Sequence, residues 1–283
     1  MQYFFRKEKK MKLFISADIE GVSGVVHMEH TMRDGREHDR ARMLMTEEVN
    51  AAIRGALDAG ATEIVVNDSH GTMRNIIPES LLPEAELIIG SPKRLSMMQG
   101  IDETFDAALF VGYHTQAGEN GILSHSYDSR VVKGITINGV KYGELGVNSL
   151  IAGHFNVPVV MVSGCQLLAL EAKALSPNIE TAIVKKSVFR TTAQNLHPAR
   201  AQEIIREKAA AGIRKRSEIE PFAIKAPFHV EVEFLQPGLA DAADISPLVA
   251  RTSPSSITFT ANEIMACYQM LRVVISMAGS ALS

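Results

Sequence analysis

Between Lys12 and Ala17 the chain runs apolar, and it then turns polar over Asp18-Ile19-Glu20-Gly21-Val22-Ser23-Gly24. A short β-prone run ending in a polar turn predicts a buried central strand. From about Asp39 to Ala59 the pattern becomes helical, with Met43, Val49, Ile53 and Leu57 as candidates for the apolar face and Gly60 where a C-cap glycine belongs. Glu63 to Asn67 supplies a second strand, and strand, helix and strand joined by a short exit loop make a parallel crossover unit.

The alternation continues. Strands are predicted at Glu86 to Ile89, Ala107 to Val111, Val157 to Val162 and Thr181 to Lys185, with helices at Leu145 to His154 and Leu167 to Leu175. This is the pattern of an α/β fold whose mainly parallel, Rossmann-like sheet is flanked by helices. Val131 to Tyr142 breaks it, reading as two strands meeting at Asn138-Gly139, a favoured type I′ turn, so that a hairpin projects from the sheet. A helix from about Pro198 to Lys215 begins on proline and ends on basic residues, as the dipole prefers. Prolines 221, 227, 237, 247 and 254 then punctuate the chain around His229 to Phe234, an alternating half-exposed strand, and a last helix runs from Asn262 to about Met277. The expected division is an N-terminal extension over 1–10, an α/β domain over 11–190 and a smaller α+β domain over 191–283.

At 283 residues and 46% hydrophobic, the chain has enough apolar mass for at least one large core. A formal charge of -3 with both signs interspersed gives no field for nucleic acid or anionic membrane, leaving small substrates or proteins as partners. No stretch approaches the roughly 20 apolar residues of a membrane span. The opening Met1 to Lys10 carries its basic residues after its aromatics, the wrong order for a secretory signal. Cys165 and Cys267 are too few and too far apart for a disulfide framework, and a cytoplasmic location is expected.

In open α/β sheets sites form beyond the carboxyl ends of strands. Asp18 and Glu20 follow the first strand, Asp68 and His70 the second, and His114 the run Leu109 to Tyr113. Residues two apart in extended backbone point the same way, so Asp18 and Glu20 converge and repel unless a cation lies between them. A divalent ion meets that need, with imidazoles as borderline-soft ligands. Each signal alone has a blander reading: Asp-x-Glu as a solvated loop, Glu144 as a first-turn glutamate facing the helix dipole, with Asn148 on its helical face free to bond a substrate or ligand. His125, between Ser124 and Ser126, reads from composition as surface rather than as an acid-base group. His27, His30 and His38 are alternative ligands in a loop that reads as exposed, and Cys165 reads as a packed thiol.

Taken together, Ser16-Ala17-Asp18-Ile19-Glu20-Gly21, Met45-Thr46-Glu47-Glu48, Val66-Asn67-Asp68-Ser69-His70, Gly112-Tyr113-His114, Ser124-His125-Ser126 and Gly143-Glu144-Leu145-Gly146 resemble, in order and spacing, the blocks of the zinc-dependent D-aminopeptidases. The likeness runs from about Met11 to the end and thins after Lys185. It implies two zinc ions per subunit, with Asp18 bridging, Glu20 and His70 completing one site and His114 and Glu144 the other. It also implies His125 as the catalytic histidine, short peptides with N-terminal D-amino acids as substrates, attack by a metal-bridged hydroxide, and a homodecamer enclosing a chamber. Gly164-Cys165-Gln166 departs from the family, which carries acidic residues after this glycine, and reads as a change in substrate contacts or local electrostatics. The rivals are another dinuclear hydrolase, amidase or phosphoesterase, and a non-catalytic assembly protein stabilised by its metals. The motif blocks hold no arginine clamp, which weighs against phosphoesters, and carboxylate-rich ligation leaves coordination open, which favours catalysis.

Overall fold

The computed structural model describes residues 10–282. The expected extension over 1–10 lies, Lys10 apart, outside them. Among the described residues the strands form two sheets, and the first is built from the runs the hydrophobic pattern predicts.

Strands β1 (Lys12–Ala17), β2 (Glu63–Asp68), β3 (Ala85–Ile88), β4 (Ala107–Val111), β7 (Val159–Cys165) and β8 (Glu180–Phe189) run parallel in the order β3-β2-β1-β4-β7-β8, and β9 (Thr192–Asn195) adds an antiparallel edge. All of β4 and β7 is buried, as is β1 after Lys12, which is why these strands read as continuous apolar runs and not as alternating ones. Chain order reverses between β1 and β4, so the crevice beyond their carboxyl ends is the natural place for a site.

Helix α2 (His38–Asp58) packs against α5 (Pro198–Arg214), and α5 in turn lies on β7 and β8. The apolar face of α2 differs from the expected one. Val49 and Ile53 are buried, but Met43 and Leu57 are exposed, and the face runs through Met45, Val49, Ala52, Ile53 and Ala56. Small residues accompany them toward the end of the helix, because α5 comes so close there that a Cβ at Gly55 would strike the Arg206 carbonyl and approach Ala209 Cβ to 2.8 Å. Gly60 ends the helix as expected, at φ +92°.

The second sheet is antiparallel, β11-β12-β10-β5-β6, comprising β5 (Val132–Ile137), β6 (Val140–Lys141), β10 (Phe228–Phe234), β11 (Ala250–Ser253) and β12 (Ser256–Ala261). The hairpin turns at Asn138 and Gly139, both at positive φ, but it does not project from the parallel sheet: β5 pairs with β10. The sheets therefore do not divide at residue 190. Residues 132–141 belong to the antiparallel sheet, while β9 and α5 belong with the parallel one, where α5 covers apolar surface of α2, β7 and β8. Helix α3 (Glu144–His154) leads out of the hairpin, α4 (Gln166–Leu175) follows β7, and α6 (Pro237–Asp244) packs on α7 (Ile264–Gly279). By length and composition alone Ile264–Leu282 is apolar enough to cross a membrane, contrary to the reading from sequence. Its Ile264, Cys267, Tyr268, Leu271, Val274, Ile275 and Ala278 are buried against α3, α6 and the second sheet, as in a core helix.

Candidate metal centre

Asp18, Glu20, His70, His114 and Glu144 meet beyond the carboxyl ends of β1, β2 and β4. The loop after β1 is clamped to the loop after β4: Asp18 N–H donates to Val111 O at 2.8 Å and Gly21 N–H to Gly112 O at 2.7 Å. Contact is so close that a Cβ on Gly21 would overlap the Tyr113 carbonyl and one on Gly112, at φ +71°, the Asp18 carbonyl. Glu144 enters as the first residue of α3, and its Oε1 accepts the Tyr127 N–H at 2.6 Å.

The imidazoles are oriented by backbone carbonyls, which can only accept. His70 Nε2–H donates to Thr31 O at 2.8 Å, His114 Nδ1–H to Thr115 O at 3.0 Å and His125 Nδ1–H to Leu123 O at 2.9 Å. Each ring is thereby left with one nitrogen turned toward the carboxylates. His70 Nδ1 lies 3.2 Å from Asp18 Oδ1 and 3.1 Å from Glu20 Oε2; His114 Nε2 lies 3.4 Å from Asp18 Oδ2 and 3.5 Å from Glu144 Oε1. One oxygen of Asp18 faces each histidine, the arrangement of a bridging carboxylate. Asp18, Glu20 and His114 offer ligand atoms within 4.8 Å of one another, as do His114, His125 and Glu144.

The electrostatics ask for a cation. Burial and the charge of Glu20 push Asp18 up to about 7. Burial also opposes ionisation of Glu20 and Glu144, but neighbouring imidazoles, His70 for the first and His114 for the second, outweigh it and hold both low. Burial would lower the two histidines, yet the carboxylates raise His70 well above its ordinary range and His114 to about 10. Protons on imidazole thus stand where divalent cations would bind. Asp18 Oδ2, Glu20 Oε2 and His114 Nε2 are buried without hydrogen-bond partners, so the donor set fits zinc: borderline nitrogen with carboxylate oxygen, and imidazoles aligned from behind by carbonyls.

His125, which composition assigned to the surface, lies beside this cluster. Its ring stacks on His114 with centroids 4.1 Å apart, and its Nε2 is 3.8 Å from Glu144 Oε1. The loop folds back because Leu123 adopts φ +49°, Ser124 Oγ donates to Glu119 O at 2.7 Å and Ser126 Oγ accepts from Ala117 N–H at 3.2 Å. Burial, then His114, lower its pKa. Those serines were the signal for a fixed loop.

Other expectations change. His30 and His38 are buried, but they pair with each other, His38 Nδ1–H donating to His30 O at 3.1 Å, and His27 caps α1 (Met28–Thr31). Asp68 fixes the turn after β2, accepting from Ile76 N–H at 2.7 Å and Asn75 Nδ2 at 2.8 Å. Asn148 bonds Tyr113 Oη at 3.0 Å within a buried network in which Ser16 Oγ meets Ser69 Oγ and Tyr113 Oη at 2.7 Å each, so it positions neither ligand nor substrate directly. Gln166 binds the backbone of Ser187, and neither it nor Cys165 lines the cleft. The residues of this departure stand outside the cleft lining, and Cys165 pairs in register with the buried Lys185 of the neighbouring strand.

Lys185 is the main residue that sequence reading missed. Wholly buried, its ammonium donates to the carbonyls of Glu20 at 2.6 Å, Val22 at 2.8 Å and Val25 at 2.6 Å, pinning the loop that carries two of the carboxylates. A cleft of about 690 Å³ opens onto Asp18, Glu20, His70, His125 and Glu144. Arg33, Arg130 and Arg272 also line it, so the absence of arginine from the motif blocks does not hold for the folded site.

Residues 11–273 match the profile of a peptidase family described as D-aminopeptidase. A D-aminopeptidase of Bacillus subtilis (strain 168) is 38% identical over 269 residues, 95% of this chain and 98% of that protein. Among solved structures, the zinc-dependent D-aminopeptidase DppA from Bacillus subtilis, described as a self-compartmentalizing protease, superimposes with a TM-score of 0.93 at 37% identity, over 95% of this chain and 98% of that one. By profile, by sequence and by structure, the chain belongs to the D-aminopeptidase family.

Proposed function

We propose that this protein is a dinuclear zinc aminopeptidase that hydrolyses short peptides carrying an N-terminal D-amino acid. The observation that carries the reading is the set of imidazoles, each anchored through one nitrogen on a carbonyl, whose other nitrogens face buried carboxylates. Asp18 would bridge two ions, Glu20 and His70 would complete one site, and His114 and Glu144 the other. Zinc, when bound, supplies a Lewis acid for the scissile carbonyl and brings the pKa of water toward neutrality.

His125 supplies the proton transfer. Its Nδ1–H is committed to Leu123 O, so Nε2 offers a lone pair, and a pKa lowered by burial and His114 keeps that nitrogen neutral near pH 7. Nε2 takes a proton from the water whose oxygen bonds to the scissile carbon and gives it to the leaving amine as the C–N bond breaks. A cleft of about 690 Å³ suits a short peptide. The reading extends to a cytoplasmic homo-oligomer, a decamer by resemblance; the self-compartmentalizing character of DppA supports assembly into an oligomer.

The test is release of amino acid from D-Ala-D-Ala and L-Ala-L-Ala by zinc-loaded and chelator-stripped protein. Zinc-dependent cleavage of the D-form is expected. Cleavage of the L-form alone refutes the stereochemistry and keeps the metallopeptidase; silence toward both with two zinc ions bound refutes the aminopeptidase.

A further inference from the structure

Helix α7 turns one face toward the cleft. Arg272, Ile275, Ser276 and Gly279, at i, i+3, i+4 and i+7, all line it. One turn earlier, Tyr268 Oη donates to Leu95 O at 3.1 Å and fixes the helix against the wall. The stripe is apolar or small except for Arg272.

The guanidinium carbon of Arg272 stands 5.4 Å from the centroid of the Tyr127 ring, and the amide of Tyr127 is the donor to Glu144. One residue thus links the arginine to the metal cluster. No carboxylate pairs with Arg272 among the described residues. Asp128 is held by Arg130 at 3.0 Å, and Asp18, Glu20 and Glu144 face the histidines. A half-buried guanidinium stacked on an aromatic ring keeps its planar fork of donors free for a planar anion.

Resting on the aminopeptidase reading of this cleft, we propose that Arg272 binds the C-terminal carboxylate of the substrate, making the enzyme specific for short peptides with a free carboxyl end. A short peptide of neutral residues carries two charges. Its amino end belongs at the carboxylate-rich metal cluster, and its other end is then the anion that an unpaired arginine in the same cleft matches bidentately. Arg272 is a specificity-determining residue and takes no part in bond cleavage.

The experiment compares D-Ala-D-Ala with D-Ala-D-Ala amide, on wild-type, Arg272→Leu and Arg272→Lys proteins. Two readouts are taken: kcat/KM with zinc loaded, and calorimetric binding to chelator-stripped protein, where nothing is cleaved. In the wild type the acid is expected to exceed the amide by about 10- to 100-fold in both, the scale of one charge-assisted pair. Arg272→Leu brings the acid down toward the level of the amide, chiefly through KM, and Arg272→Lys restores part of the preference. Equal handling of acid and amide by the wild type, equal loss of both in Arg272→Leu, or no acid binding to the stripped protein overturns the proposal. Arg272-dependent binding of the acid without hydrolysis keeps it while the aminopeptidase reading fails.

Discussion

Replacing Lys185 by methionine keeps the apolar stem and removes the three donors that hold the carbonyls of Glu20, Val22 and Val25. A carbonyl stranded away from water costs about 1–3 kcal/mol, so three cost roughly 6 kcal/mol at the middle of that range. Against this stands the relief of no longer burying an ammonium. Burial lowers Lys185 from 10.5 to about 8, which at about 1.4 kcal/mol per unit returns roughly 3 kcal/mol. Glu48, its buried neighbour, is pushed up to about 7 by burial and takes a proton when the cation goes, adding little. The net loss is roughly 3 kcal/mol, about 6–12 °C in the melting midpoint for a chain of this size. Because Glu20 rides on the released loop, zinc affinity falls as well, by about 10–100-fold, the usual scale for groups behind a metal ligand. The assay is thermal unfolding of chelator-stripped wild-type and Lys185→Met protein, with zinc affinity from competition with a chromophoric chelator. A midpoint within about 2 °C of wild type, with zinc affinity unchanged, would show that the ammonium does not hold the loop.

His125→Ala is expected to lower kcat by about 10²–10⁴-fold while zinc content stays at the wild-type level; parallel loss of both, by activity and metal analysis, would make His125 a ligand, as its grouping with His114 and Glu144 allows. Gly112→Ala drives a Cβ into the Asp18 carbonyl at a positive φ, and zinc occupancy measured on purified protein should collapse; wild-type occupancy would mean that the close approach of the two loops does not hold the site. Glu171 is raised from 4.5 to about 7, chiefly by burial, so the folded protein keeps a proton that the unfolded chain sheds. Its contribution is therefore fully present below about pH 4.5 and is lost as pH rises toward 7, up to roughly 3 kcal/mol. Glu171→Gln should flatten the fall in urea midpoint between pH 5 and 8 relative to wild type, and parallel pH profiles for the two proteins would contradict the shift.

The centre of the parallel sheet was legible because β1, β4 and β7 are buried on both faces and so appear as uninterrupted apolar runs: β1 and β4 fall where the pattern puts them, and β7 begins two residues later and ends three residues later than expected. What escaped was whatever depended on partners far away in sequence. Nothing within residues 131–142 says that the hairpin pairs with β10, about ninety residues later, and β11 and β12, short and broken by a turn at Pro254-Ser255, carry little periodicity. Met43 and Leu57 misled on α2 because large residues signal an apolar face more loudly than the alanines and Gly55 that let α5 approach.

The site divides along the same line. Side chains that follow a strand directly inherit their position from the sheet, so Asp18, Glu20, His70 and His114 could be placed by counting from strand ends. His125 and Arg272 could not: one depends on a loop folded back by serine hydrogen bonds, the other on a helix delivered by the second sheet. Lys185 was hidden for a further reason. A lysine at the end of a predicted strand is ordinarily solvated, and only the three carbonyls that converge on it explain how an ammonium stays in the core. Those carbonyls are turned inward because the loop after β1 is drawn down by Gly21 and Gly112, so the Ser-x-Asp-x-Glu-Gly signature encodes two things at once, the buried carboxylates and the glycine that lets their loop reach the ammonium of Lys185.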